Sequence, residues 1–128
     1  MNLRLDTHVV LWSLDESDRL TPELRRMLED PENAIWVSSI SIWEIFIKAK
    51  IGKIRIPEGL SEAIGHQDMM PLPFTAAHAK QASFLPMHHK DPFDRALLGQ
   101  AVEEKLIFIT ADTTLRQYVA NVQLLLVD

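Results

Sequence analysis

Short β-rich apolar runs alternate with helical stretches along this chain of 128 residues, and that alternation limits the fold more than any other feature. Leu3-Arg4-Leu5, Ala34–Ser38, Met69–Pro73, Lys105–Ile109 and Val122–Val127 read as strands. The helical stretches between them are marked by their end signals. Thr21-Pro22 and Asp91-Pro92 each pair an N-cap residue with proline at the first helical position, and Asp30-Pro31-Glu32-Asn33 breaks the helix that Thr21 begins. Further helices are predicted from Thr7 to Leu14, through Ile40–Lys50, from Pro57 to about Gly65, over the small-residue segment Thr75–Ala82, and over Thr113–Tyr118. Strands that alternate with helices pair in parallel and bury both sheet faces under helix layers. The expected architecture is α/β, a three-layer α/β/α sandwich with a mainly parallel central sheet, and the length suits one domain over residues 1–128.

Composition narrows the chemistry. With no cysteine, disulfides, thiolate metal sites and cysteine nucleophiles are all excluded. No segment approaches the roughly 18 apolar residues of a membrane span, and the N-terminus lacks a signal-peptide layout, so a cytoplasmic protein with no membrane association is expected. The formal charge of −5 argues against indiscriminate nucleic-acid binding, yet removing four cation-bound acids from it leaves only about −1.

Four acids stand where an α/β chain would bring them together. Asp6 follows the first strand and Asp112 the fourth, and in open α/β sheets ligands bind outside the carboxyl ends of the strands. Glu44 is the one acid in the apolar helix Ile40–Lys50, and Asp94 lies in the first turn of the helix capped by Asp91. Each has a local explanation: Asp6 as an N-cap, Asp94 as a partner of the helix dipole, Glu44 in an i,i+4 pair with Lys48. Gathered at one edge, however, four carboxylates repel, and they either raise one another's pKa or bind hard cations through oxygen. Magnesium suits such a site, with manganese as a substitute; zinc is poorly supported without cysteine or a histidine pair. Lys48, Lys50, Lys53 and Arg55 bracket Gly52, either as solvated surface or as phosphate contacts. His8 and His78 are expected to be structural or exposed, and His88 and His89 to be loop residues, His88 ordering the turn before Asp91. Trp12 and Phe46 are expected in the core.

Taken together, Leu5-Asp6-Thr7-His8, Ser41-Ile42-Trp43-Glu44 with Lys48 and Gly52-Lys53, His89 to Arg95 around Asp91-Pro92-Phe93-Asp94, and Thr110-Ala111-Asp112 resemble the PIN-domain ribonucleases. Within that family the sequence is similar to the VapC-type toxins of VapBC type II toxin-antitoxin systems. The resemblance spans nearly the whole chain. It implies a PIN-like sandwich and a catalytic, metal-binding set of Asp6, Glu44, Asp94 and Asp112, with Thr110 as a supporting hydroxyl and Asp91 mainly capping its helix. Lys48, Lys50, Lys53 and Arg95 are the expected RNA-binding residues. The implied activity is Mg²⁺-dependent hydrolysis of RNA phosphodiester bonds by an activated water, without a side-chain nucleophile. A VapB-type antitoxin, laying a basic side chain or an apolar helix over the acidic pocket, and a second copy of the chain are the implied partners. Gly99 departs from the family pattern and is expected to weaken its helix by roughly 0.5–1 kcal/mol relative to alanine.

The alternative within the same fold is a catalytically silent module that binds RNA or protein. A receiver-like phosphoryl acceptor, also a small α/β domain, is disfavoured because Asp6 has no acidic neighbour and no lysine follows Lys105.

Overall fold

Five strands form one sheet, in the spatial order Met70–Leu72, Ala34–Ser38, Asn2–Leu5, Ile107–Thr110 and Leu124–Leu126, and all four pairings are parallel. The computed structural model describes residues 1–15, 17–56, 58–88 and 91–127; the expected helix start at Pro57 and the loop residue His89 lie outside this set. In chain order the elements are β1 (Asn2–Leu5), α1 (Thr7–Leu14), α2 (Pro22–Glu29), β2 (Ala34–Ser38), α3 (Ser39–Lys50), α4 (Leu60–His66) and β3 (Met70–Leu72). Then come α5 (Ala76–Phe84), α6 (Pro92–Glu104), β4 (Ile107–Thr110), a 3₁₀ helix (Thr113–Tyr118) and β5 (Leu124–Leu126). The expected alternation is present, and the sheet is entirely rather than mainly parallel.

Side chains of successive strand residues go to opposite faces, and the core divides accordingly. Leu3, Leu5, Ile35, Val37 and Ile109 pack with Val9, Val10, Leu24 and Ile64 from α1, α2 and α4. Their sequence neighbours Trp36 and Phe108, together with Leu124 of β5, pack on the other face with Leu97, Leu98 and Ala101 of α6, and with Leu115 and Tyr118 of the 3₁₀ helix. Both faces are therefore covered, which gives the three-layer sandwich. Helix α3 starts where β2 ends, capped by Ser38, and packs on α1 and α6.

The strand position between Leu3 and Leu5 should be apolar by this logic, and it holds a fully buried arginine. The Arg4 guanidinium donates to Gln100 Oε1 at 2.9 Å and to the Leu97 carbonyl at 2.6 Å, and lies 4.3 Å from the Phe108 ring centroid. Gln100 passes the connection on, donating to the carbonyls of Leu72 and Pro73. Helix α6 is thus fastened to the central strand and to the segment after β3 by polar bonds inside an otherwise apolar layer.

Helices α5 and α6 approach each other closely at the position where sequence reasoning expected a weakness. A Cβ added at Gly99 would stand 2.5 Å from the Ala82 nitrogen and 2.6 Å from its Cα, far inside contact distance. Gly99 is therefore the crossing point of two helices, and the small-residue character of α5 is its complement. The expected helix-propensity gain from alanine is overturned by packing, because backbone cannot yield as a flexible side chain can. Gly99→Ala is expected to destabilise the fold by about 1–3 kcal/mol in urea unfolding, where propensity alone would predict a gain of about 0.5–1 kcal/mol.

Candidate active site

The chain order turns back at β1. From β1 it builds outward through β2 to β3, then returns to the other side of β1 at β4, so β1 and β4 flank the point where the strand order reverses. A crevice opens at such a point because the helices that follow the two strands leave to opposite faces. Asp6 follows β1 there, and Thr110 ends β4.

Asp6 caps α1 and is only 6 % exposed. Its Oδ1 accepts from the Thr7 amide at 2.8 Å and its Oδ2 from the Thr110 hydroxyl at 2.6 Å. Thr110 Oγ1 in turn accepts from the Asp112 amide at 3.0 Å, so one hydroxyl positions two of the four acids. The Asp112 carboxylate caps the 3₁₀ helix, accepting from the Thr114 amide and hydroxyl at 3.0 and 2.6 Å. On α3, Glu44 is 4 % exposed; its Oε1 accepts from the Thr7 hydroxyl at 2.7 Å and its Oε2 pairs with Lys48 Nζ at 2.7 Å. On α6, Asp91 Oδ1 accepts from the amides of Phe93 and Asp94 at 2.8 and 3.4 Å, and Asp94, half-buried in the first turn, lines the cleft.

These side chains line one cleft of about 550 Å³, where Asp6, Glu44, Asp91, Asp94 and Asp112 meet His8, Trp12, Arg19 and Lys48. All four acids are brought together as the sequence suggested; Asp91 caps α6 as expected and also lines the cleft, and Thr110 supports Asp6 and Asp112. The basic residues divide. Lys48 reaches the cleft, in the i,i+4 pair with Glu44 that was the local explanation for that acid. Lys50 and Lys53 are exposed at and beyond the end of α3 and do not line the cleft. Arg95 has a different task from the expected RNA contact: one residue beyond Asp94 it points about 100° round the helix. There it donates to the carbonyls of Pro86, Ala82 and Leu85 at 2.9, 3.0 and 3.0 Å. It fastens the loop after α5.

The two aromatic expectations divide: Phe46 is 47 % exposed instead of buried, whereas Trp12 packs against the core as expected and, half-buried, also lines the cleft with the Arg19 guanidinium 4.7 Å from its ring centroid. Arg19 was missed because it lies in the irregular connection between α1 and α2, where no periodicity points to the cleft. The histidines fall largely as read. His8 is exposed at the rim, and His78 is buried in the capping box of α5, 3.1 Å from Glu104. His88 lies edge-on to Tyr118 at 5.2 Å between centroids, within the turn that leads towards Asp91.

Burial pushes the Asp6 carboxyl above its ordinary pKa, against the hydrogen bonds from Thr110 and Thr7 and the charges of Arg4 and His8. Burial works to lower the pKa of Lys48, but the hydrogen bond to Glu44 and the charges of Glu44, Asp91 and Asp94 outweigh it and hold the ammonium above its usual value. Among the described residues no group of three or more acid or histidine side chains stands ready-made as a cage for a metal ion. The donor chemistry nevertheless fits a hard divalent cation: only carboxylate oxygens face the cleft in number, and a buried Asp6 would gain from added positive charge.

Fold and cleft define a small doubly wound α/β domain with an acidic pocket at its switch point. The sequence model of the PIN domain matches residues 4–121, and the chain belongs to the PIN-domain family. Among solved structures, a chain of VapBC2 from Rickettsia felis bound to a fragment of its promoter DNA is similar over the full length of both chains, with a TM-score of 0.74 at 17% identity. A chain of the DNA-bound VapBC from Salmonella typhimurium covers 98% of this chain and 97% of its own, with a TM-score of 0.66 at 14% identity. A toxin-antitoxin complex from Klebsiella pneumoniae matches over 96% and 95%, with a TM-score of 0.61 at 20% identity. Comparison with curated proteins gives no match.

The raised pKa of Asp6 has a definite sign. The folded state keeps this proton to a higher pH than the unfolded chain, so the contribution of Asp6 to stability falls as pH rises from about 3.8 through its folded value. Asp6→Asn is expected to remove that slope and to be more stable than wild type at neutral pH, as read by unfolding midpoints measured between about pH 4 and pH 7.

Proposed function

We propose that the protein is a Mg²⁺-dependent endoribonuclease and the toxin of a VapBC-type toxin-antitoxin pair. The observation that carries this reading is the convergence of Asp6, Glu44, Asp94 and Asp112, from four separate elements, on one cleft at the switch point of a PIN fold. Asp6, Glu44 and Asp94 would hold Mg²⁺ or Mn²⁺, and Asp112 would hold a second ion or position the water. When bound, such a cation activates a water and offsets charge on the phosphate and the departing 3′ oxygen. The protein's own groups do the rest. Thr110 and the Thr7 amide fix both oxygens of Asp6, so the carboxylate does not reorganise as charge develops, and Asp91 holds the turn that aims Asp94. Water oxygen bonds to phosphorus as the P–O3′ bond breaks, with no side-chain nucleophile.

Arg19, stacked on Trp12 at the rim, is the cation we assign to an incoming RNA phosphate. The proposed partners also include an antitoxin and a second copy of the chain. The exposed Trp43, Phe46, Phe84 and Met87 offer apolar surface to a protein partner, with Trp43 between two apolar grooves. The proposed setting is the cytoplasm; no helix among the described residues is long and apolar enough to cross a membrane.

Purified protein is expected to cut a mixed pool of transfer and ribosomal RNA in Mg²⁺ or Mn²⁺ but not in EDTA. Asp94→Asn should lose about 10²–10³-fold in rate while keeping its far-UV circular dichroism, a loss equal to several kcal/mol of charge stabilisation. Mn²⁺ binding without cutting would favour the silent RNA- or protein-binding module, and no Mn²⁺ binding would remove the basis of the proposal. Arg19→Ala is expected to weaken RNA binding and to flatten the plot of log affinity against log salt by about one unit, measured by filter binding.

A further inference from the structure

A carboxylate as deeply placed as Glu44 demands a counter-charge, and the chain supplies its own. One turn along α3, Lys48 brings its ammonium to 2.7 Å from Glu44 Oε2, while Thr7 satisfies the other oxygen. The same ammonium feels the negative charges of Asp91 and Asp94 across the cleft on α6. Lys48 therefore stands among three of the cleft's acids, carried on two elements. Its side chain is about a third exposed, at 30%, and ends in a flexible four-carbon stem, so a way out to water is open to it.

We propose that Lys48 is a resident counter-ion that competes with the divalent cation for Glu44, so that loading the site exchanges the ammonium for the metal. The inference rests on the reading that the acids bind a cation, and it adds which residue must give way. Without an ion, the pair keeps Glu44 compensated and lets the acidic cleft fold. With an ion, breaking the pair subtracts from the binding free energy, so affinity lies below what the same acids would give alone.

Mn²⁺ titrations followed by the electron paramagnetic resonance of the free ion would compare wild type with Lys48→Met and Lys48→Arg. Lys48→Met should bind roughly 5- to 10-fold more tightly, the equivalent of a modest partly buried ion pair, and Lys48→Arg should remain within about twofold of wild type. Metal-free Lys48→Met should also melt below wild type and gain more from Mn²⁺. Equal or weaker Mn²⁺ affinity in Lys48→Met overturns the proposal, as does a Lys48→Arg protein as tight as Lys48→Met, since charge would then not be the cause.

Should Lys48→Met fail to fold, the wild-type protein supplies its own readout. In a ¹⁵N-lysine spectrum the Lys48 Nζ resonance should leave its ion-paired position as Mg²⁺ saturates the site, and a resonance unmoved at saturation overturns the exchange. If neither wild type nor Lys48→Met binds Mn²⁺, the exchange falls together with the cation-dependent reading. Tight binding with no difference between them removes the exchange alone.

Discussion

Asp6 sits nearly out of reach of water at the end of the central strand, and much of the site is arranged to keep it there. An amide and a hydroxyl each take one of its oxygens, Arg4 lies two residues before it, and His8 stands at the rim. Burial still prevails enough to raise its pKa. The residue is destabilising by design of position: it is placed where a charge is costly and where added positive charge is correspondingly welcome. Stability lost at such a point is a common feature of functional sites.

Keeping the acids within one cleft requires fixed backbone behind them. Helix α6 carries Asp91 and Asp94, and three devices hold it: the near-contact of Gly99 with Ala82, the bonds from Arg4 to Leu97 and Gln100, and the grip of Arg95 on the carbonyls after α5. None of these residues faces the cleft. Each acts on the position of the first turn of α6, and so on where the Asp94 carboxylate stands relative to β1.

The cleft also balances charge locally. Five acids face Lys48, Arg19 and His8, and the cations are held in different ways. Lys48 is paired inside the cleft, whereas Arg19 rests on an aromatic ring at its edge. An acidic protein thus carries positive charge at the mouth of a negative site.

The sequence by itself determined the class of fold and the identity of the acids. Strand and helix period, proline after an N-cap, and acids after β1 and β4 are local features, readable because each element's signals are contiguous in the chain. Tertiary structure decided the uses of residues whose partners lie far away in sequence. Arg4 reads as an interruption in an apolar strand until Gln100, 96 residues on, appears beside it. Gly99 reads as a weak helix position until Ala82 arrives against it, and Arg95 as an RNA contact until the carbonyls after α5 surround it. Phe46 reads as core on apolar character alone, but which side of α3 is covered depends on the neighbours that the sheet order brings. Propensity acts within a few residues, while packing and buried hydrogen bonds are fixed only when distant segments meet.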